Sequence, residues 1–367
     1  MSGASPFPPA SVGPMRNLHA QHWQPMTPDG KHRLRQALCN VIVMKRLVIG
    51  AALATCLLGA SLAWAAGPTE IPTQGATVTR QAVRNLPPGL TTLAGCPVFP
   101  ADNPWNTDIS GYPLRANSDA IMSRVGGTNL WVDFAPRTPY GMPFVVVPEN
   151  QPLVPITYNQ FGNESDPGPM PIPLDAPKEA NTDRHVLVVQ QGTCKLFELY
   201  AADQVGGGWT AGSGAIYDLR SNALRPEKWT SADNAGLPIL PGLVRCADMA
   251  AGRITHAVRM TMQPTQKGYV FPARHGDGPT TDPNLPAMGM RFRLKAGYDI
   301  SGFTGQARIL MEAFKKYGLI VADVGASWYF QGERADCFND AELWQIRGKV
   351  PASAFEAVDT GPVVPWP

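Results

Sequence analysis

Three histidines in the second half of the chain each stand beside an arginine or inside a dense polar motif. His185 lies in Asp183-Arg184-His185, His256 in His256-Ala257-Val258-Arg259, and His275 follows Arg274. Side chains that titrate near neutrality are natural proton shuttles and substrate anchors. A period of two places His256 with Ile254, Val258 and Met260, facing inward, and His185 with Leu187 and Val189. The competing reading for each is a core-edge histidine held by a backbone carbonyl. Carboxylates show the same pattern. Glu198 shares a strand face with Leu196 and Tyr200, Asp218 sits in Ala215-Ile216-Tyr217-Asp218-Leu219, and Asp323 ends the run Ile320-Val321-Ala322. Apolar surroundings raise a carboxyl pKa and suit it to general-acid work, unless an arginine pairs with it.

The segment from Leu224 to Arg245 concentrates polar and aromatic groups without helical or strand periodicity. An ordered loop of this length is more often functional than a plain connection. Trp229 is a candidate platform for a sugar ring. Asp233 is a candidate acid or base, and Arg225 and Arg245 are candidates for binding hydroxyls or a carboxylate. Thr230-Ser231-Ala232-Asp233 is equally compatible with a capped helical turn.

Two chemistries and one non-catalytic role fit these residues. Paired carboxylates drawn from Glu198, Asp218 and Asp233 would make a glycoside hydrolase. A polysaccharide lyase would use Arg245 or Arg259 to neutralise a uronate, with His256 or Tyr217 removing the adjacent proton. A non-catalytic glycan-binding or surface-structural module would need only exposed aromatics. His185, Arg259 and His275 are further candidates for binding substrate. The hydrolase is the leading expectation. No Gly-x-Ser-x-Gly elbow and no His-Glu-x-x-His occurs, which disfavours a standard α/β-hydrolase or zinc protease. Three histidines could fill the protein positions of a catalytic metal, yet neither a metal nor another cofactor is expected.

Short β-branched or alternating runs must position these groups. Phe144–Val147, Val186–Val189, Lys195–Ala201, Ile254–Met262, Tyr269–Phe271, Met290–Lys295 and Leu319–Val324 read as strands, with Val186–Val189 and Lys195–Ala201 forming a hairpin. In Met290–Lys295 the alternation puts Arg291, Arg293 and Lys295 on one face, expected to be exposed. Helices are expected at Ser118–Val125 and Gly305–Tyr317, the second ending on Gly318. Many short strands with Pro- and Gly-rich loops imply a mostly β single domain of sandwich or jelly-roll type.

Compartment follows from the N-terminal region. Lys45 and Arg46 precede an uncharged run from Leu47 to Leu62, and Ala63-Trp64-Ala65 supplies small residues for cleavage, so Met44–Ala66 reads as a signal peptide. The run of about 16 residues is short of the roughly 20 that span a bilayer, so no stable membrane anchor is expected. Residues 1–43 fit no structural class and are expected to reflect a start upstream of a true Met44. Residues 67–95 read as a linker, 96–359 as the folded domain and 360–367 as a tail. Of six cysteines, Cys96, Cys194, Cys246 and Cys337 follow the leader. An oxidising compartment implies two disulfides with three possible pairings. Charged residues make up 16% of the chain and nearly balance, which argues against nucleic acid as a partner. The expected partner is an extracellular glycan, bound by a secreted or periplasmic monomer.

Several strings together resemble a family of secreted, mostly bacterial proteins usually labelled hypothetical. They are Trp229–Arg245, Ile254–Thr261, Pro286–Lys295 and Lys316–Asp323, joined by Asn103-Pro104-Trp105-Asn106 and Asp183-Arg184-His185. The resemblance covers most of residues 96–359 and implies one secreted domain; it carries no activity with it.

Overall fold

A computed structural model describes residues 92–136, 138 and 140–366. The expected leader, signal peptide and nearly all of the linker lie outside the described residues. The fold is mostly β, as its short alternating segments imply. Ten strands build the two larger sheets: β1 (Trp131–Val132), β2 (Phe144–Val147), β3 (Val186–Gln190), β4 (Lys195–Tyr200), β5 (Ser213–Asp218), β6 (Val258–Met262), β7 (Arg291–Leu294), β8 (Leu319–Val324), β9 (Tyr329–Phe330) and β10 (Phe355–Val358). One sheet has the order β5-β4-β3-β2 and the other β10-β7-β8-β6-β9-β1. Both mix orientations: β2–β3, β6–β8 and β9–β1 are parallel, and the remaining pairs are antiparallel. Single-strand alternation carries no signal of orientation, because the partner is distant in sequence.

The four-stranded sheet is buried on both faces, which explains why Val186–Val189 is apolar without interruption. Leu187, Val189 and Leu196 face the main core shared with the larger sheet. Val186, Val188, Phe197 and Leu199 face a smaller core closed by Met170, Ile172 and Trp209. Glu198 therefore points with Leu196 into the main core.

Helix α1 (Ser118–Val125) packs against β10. Helix α2 (Cys246–Ala250) is a short turn after the polar loop. Helix α3 (Gly305–Lys316) buries Ala307, Leu310, Met311 and Phe314 and runs into β8. It stops where sequence places the stop: Gly318 has φ +68° and its N–H bonds to the Ala313 carbonyl, the left-handed ending that glycine favours. Helix α4 is Asp340–Leu343. Two disulfides, Cys96–Cys194 and Cys246–Cys337, select one of the three pairings left open by sequence.

Two strand expectations need correction. The arginine face of β7 is buried, not exposed. Arg291 donates to the carbonyls of Pro104, Thr107 and Tyr317, and Arg293 to those of Ile109, Ser110 and Tyr112 and to Glu356. The loop at 104–112 covers this face, and the guanidiniums supply donors to carbonyls that would otherwise be orphaned. The expected strand Ile254–Met262 begins only at Val258, because the Ala257 N–H is bound to the Trp105 carbonyl instead of a neighbouring strand.

Candidate functional site

The polar loop folds back over the two central strands of the larger sheet, β6 and β8, beside a β-bulge. Met260 pairs with Val321 and Thr261 with Asp323, so Ala322 is left over. An extra residue releases its backbone groups from the ladder and re-aims its neighbours. The Ala322 carbonyl accepts the N–H of Ala235, which fixes the loop beside Asp323. Gly236 makes that turn possible: at φ +69° an added Cβ would lie 2.4 Å from the Trp229 carbonyl oxygen. The Ser231 hydroxyl accepts the N–H of Asp233 at 2.9 Å and donates to backbone oxygen, holding the Asp233 side chain inward.

Asp233 meets Arg259 of β6 in a two-point contact, Nε to Oδ2 at 2.9 Å and Nη2 to Oδ1 at 2.7 Å. Both are sealed from solvent, each 1% exposed. The same Nη2 lies 3.8 Å from Asp323 Oδ2, whose side chain keeps 24% of its surface open. Burial, and then the Asp233 charge, push the Asp323 carboxyl up to about 8, against the opposing pull of Arg259. Burial raises the Asp233 carboxyl too, against the pull of Arg259, so the two acids share the cost of ionisation and Asp323 is the one open to solvent.

His185 supports this centre from the position just before β3. Its Nδ1 is 2.5 Å from Glu179 Oε2 and its Nε2 is 3.0 Å from the Ala232 carbonyl, next to Asp233. Burial opposes a charge on the ring, but Glu179 outweighs it and lifts His185 to about 9. The ring is thus an imidazolium, donating from both nitrogens. Asn181 ties this corner together, donating to Glu179 and accepting the N–H of Asp183. Asp183 and Tyr200, both half-buried, stand at the rim. Burial raises the Tyr200 phenol, and the charges of Asp183 and Asp323 add to the shift. Arg184 and Ala201 both have positive φ, 44° and 49°. Two side-chain-bearing residues in left-handed conformation at one rim mark backbone strain at this corner.

The structure brings together His185, Asp233, Arg259 and Asp323. Glu198 lies behind them, close enough for Asp233 to act on its charge, and burial pushes it up to about 7. Its oxygens are occupied by the N–H groups of Ile239 and Leu240 at 2.9–3.0 Å, so it caps a short 3-10 turn and faces no solvent. Asp218 is not in an apolar setting. It is exposed at the end of β5, where it accepts the Arg220 N–H.

His256 and Arg245 belong to a separate sealed cluster around Asp248. Arg245 Nε and His256 Nε2 lie 3.3 and 3.2 Å from Asp248 Oδ2. Arg225 is sandwiched between Trp229 and Tyr217, 5.6 and 5.8 Å from the ring centroids, and its Nη1 is 2.5 Å from Asp166. One face of Trp229 is thereby taken by a guanidinium, which leaves it less of a sugar platform than sequence suggests. His275 packs against Trp366 with the rings tilted and their centroids 4.2 Å apart, and lies 3.9 Å from Glu164; burial pushes its pKa down. Arg245 and Arg259, the cations expected to neutralise a uronate, are both buried and paired, and Tyr217 is a buried phenol pushed further up by burial.

Sequence reasoning missed Glu179 and the role of Asp183. Glu179 follows Pro177-Lys178 in a loop without periodicity, so nothing local marks it as buried. Asp183 was visible only as a neighbour of His185. Cys246, Glu333 and Cys337 place three potential metal ligands together, but both sulfurs are consumed in the disulfide. Among the described residues no helix is long and apolar enough to cross a membrane. Comparison of the chain with protein-family models, with curated proteins and with solved structures found no match.

Proposed function

We propose that the protein is an exported hydrolase that cleaves glycosidic bonds, with Asp323 as general acid and Asp183 as its carboxylate partner. The observation that carries this is Asp323: a quarter-exposed carboxyl group 3.8 Å from Arg259 Nη2, raised well above the ordinary carboxylate range by burial and by Asp233. Asp183 complements it. Its carboxylate has no hydrogen bond or ion pair to a described residue, and it lies close enough to act on both Asp323 and Tyr200.

In a glycoside hydrolase one carboxylic acid protonates the leaving oxygen, while the second carboxylate activates water or attacks the anomeric carbon. Asp323 would give its proton to the glycosidic oxygen as the carbon–oxygen bond breaks. A water proton would end on the carboxylate pair and the water oxygen on the sugar, so each turnover consumes one water and frees one reducing end. Tyr200 offers a ring and a hydroxyl at the same rim. Arg259 and His185 touch no solvent; they position Asp233 and Asp323. Export is supported by the Met44–Ala66 pattern and the two disulfides.

The test is to incubate the purified protein with neutral, amino-sugar and uronic polysaccharides. New reducing ends, lost in Asp323→Asn, are the expected result. The ultraviolet absorbance of an unsaturated uronate would indicate a lyase, and binding without cleavage a non-catalytic module. Either outcome sinks the hydrolase.

A further inference from the structure

The two disulfides sit in opposite surroundings. Cys96 and Cys194 are each 1% exposed and lie in the main core, whereas Cys246 is half-buried and Cys337 is open to solvent. Thiol–disulfide exchange needs a thiolate to reach a sulfur, so access separates the two bonds. Glu333 lies beside the accessible pair: its carboxylate and the sulfurs of Cys246 and Cys337 fall within 4.8 Å of one another. Glu333 is only 7% exposed. It accepts the Cys246 N–H at 3.0 Å, and among the described residues no ion pair reaches it. Arg245, the cation next in sequence to Cys246, is turned to Asp248 instead. A carboxylate withdrawn from water with no cation paired to it is costly, and here the open side of that carboxylate is shared with two sulfurs.

We propose that Cys246–Cys337 is a reducible disulfide, and that its reduced form binds a thiophilic divalent cation, zinc, through both sulfurs and Glu333. A dithiol reductant supplies the electrons. Its thiolate attacks the open Cys337 sulfur and its second thiol resolves the mixed disulfide, so the protein gains two thiols as the reductant becomes a disulfide. Metal binding then releases both thiol protons, and two thiolates and one carboxylate surround the ion. Only a thiolate ligates, so the oxidised chain cannot hold the metal and the reduced chain can. Two sulfurs and one oxygen fill three of the four tetrahedral positions, and the exposed side at Cys337 leaves the fourth to water. Thiolates favour zinc over magnesium or calcium, which prefer oxygen ligands. The site is independent of the hydrolase assignment.

Mild dithiol treatment of the folded, full protein, followed by thiol labelling and peptide mass spectrometry, tests the first half. Cys246 and Cys337 should label while Cys96 and Cys194 stay joined. Cobalt titration of that protein, after anaerobic removal of the reductant, tests the second. One cobalt ion per chain should bind with the sulfur-to-cobalt charge-transfer absorption of thiolate ligation, and zinc should displace it. The oxidised protein should show no such band. Glu333→Gln should weaken cobalt binding at least about tenfold, since even an outer partner of a metal ligand is worth about 10–100-fold. Thermal unfolding of the oxidised variant shows whether it is folded, and the comparison of oxidised with reduced wild type needs no variant. Labelling of all four cysteines together, or of none, would overturn the proposal. So would reduced protein that binds no cobalt, one cobalt ion shared between two chains, or equal affinity in folded Glu333→Gln.

Discussion

His185, Asp233 and Arg259 form one buried cluster, and His256, Asp248 and Arg245 form another from the same three residue types. Around Asp248 the Arg245 guanidinium and the His256 ring converge on one carboxylate, and its pKa falls despite burial. Around Asp233 the balance is reversed, because Glu179, Asp183, Glu198 and Asp323 crowd two cations. Burial raises the Asp233, Glu198 and Asp323 carboxyls, a neighbouring carboxylate adds to the rise at Glu198 and Asp323, and Asp323 is the one that reaches solvent. Residue types alone do not separate a structural ion cluster from a chemical one; the count of charges of each sign and the opening to solvent do.

The contrast can be broken most directly by removing one carboxylate from each side. Asp323→Asn should cut reducing-end release by at least about a hundredfold, as for loss of a general acid, while unfolding stability near pH 4, where the wild-type carboxyl is also largely neutral in the folded state, stays within about 0.5 kcal/mol. Asp248→Asn should do the reverse. It strands Arg245 as a buried unpaired charge and should cost about 3–5 kcal/mol in denaturant unfolding, leaving the specific activity of the folded fraction unchanged.

Stability against pH separates the clusters by sign. The folded pKa of Asp323 is raised from 3.8 to about 8. Its favourable contribution is complete below the unfolded value and is lost as pH rises through the folded one. The melting temperature of Asp323→Asn should therefore gain on wild type between those two values. Asp248 is lowered in the folded state, so its contribution is present above its unfolded value of 3.8 and is lost as pH falls below it. Acid unfolding of wild type should be steeper than that of Asp248→Asn. The smallest effect belongs to Trp229→Ala, which removes one of the two rings around Arg225 and should cost about 0.5–1 kcal/mol at this partly exposed site.

Local signals carried the secondary structure well. The spacing of Leu310 and Phe314 and the glycine at 318 mark α3, and the β-branched runs mark β2 and β3. Signals that depend on distant partners were silent. Arg291 and Arg293 look like an exposed face until the 104–112 loop lies over them, and Asp218 looks buried until β5 proves to end beside it. The same limit applies to the site. His185 and Asp323 stood out as polar groups in apolar settings, Asp233 as part of a dense polar loop and Arg259 as a candidate cation, but their convergence depends on a β-bulge at Ala322 that no sequence pattern announces. Glu179 and Asp183 lie in a loop, where composition has no periodicity against which burial can be read.

Carbon-13 NMR of the aspartate carboxyl carbons, recorded against pH for wild type and Asp323→Asn, addresses the protonated acid itself without any choice of substrate. One resonance, absent from the variant, should titrate with a midpoint near 8. An Asp323 resonance titrating in the ordinary carboxylate range, near 3.8, would contradict the assignment of Asp323 as the general acid.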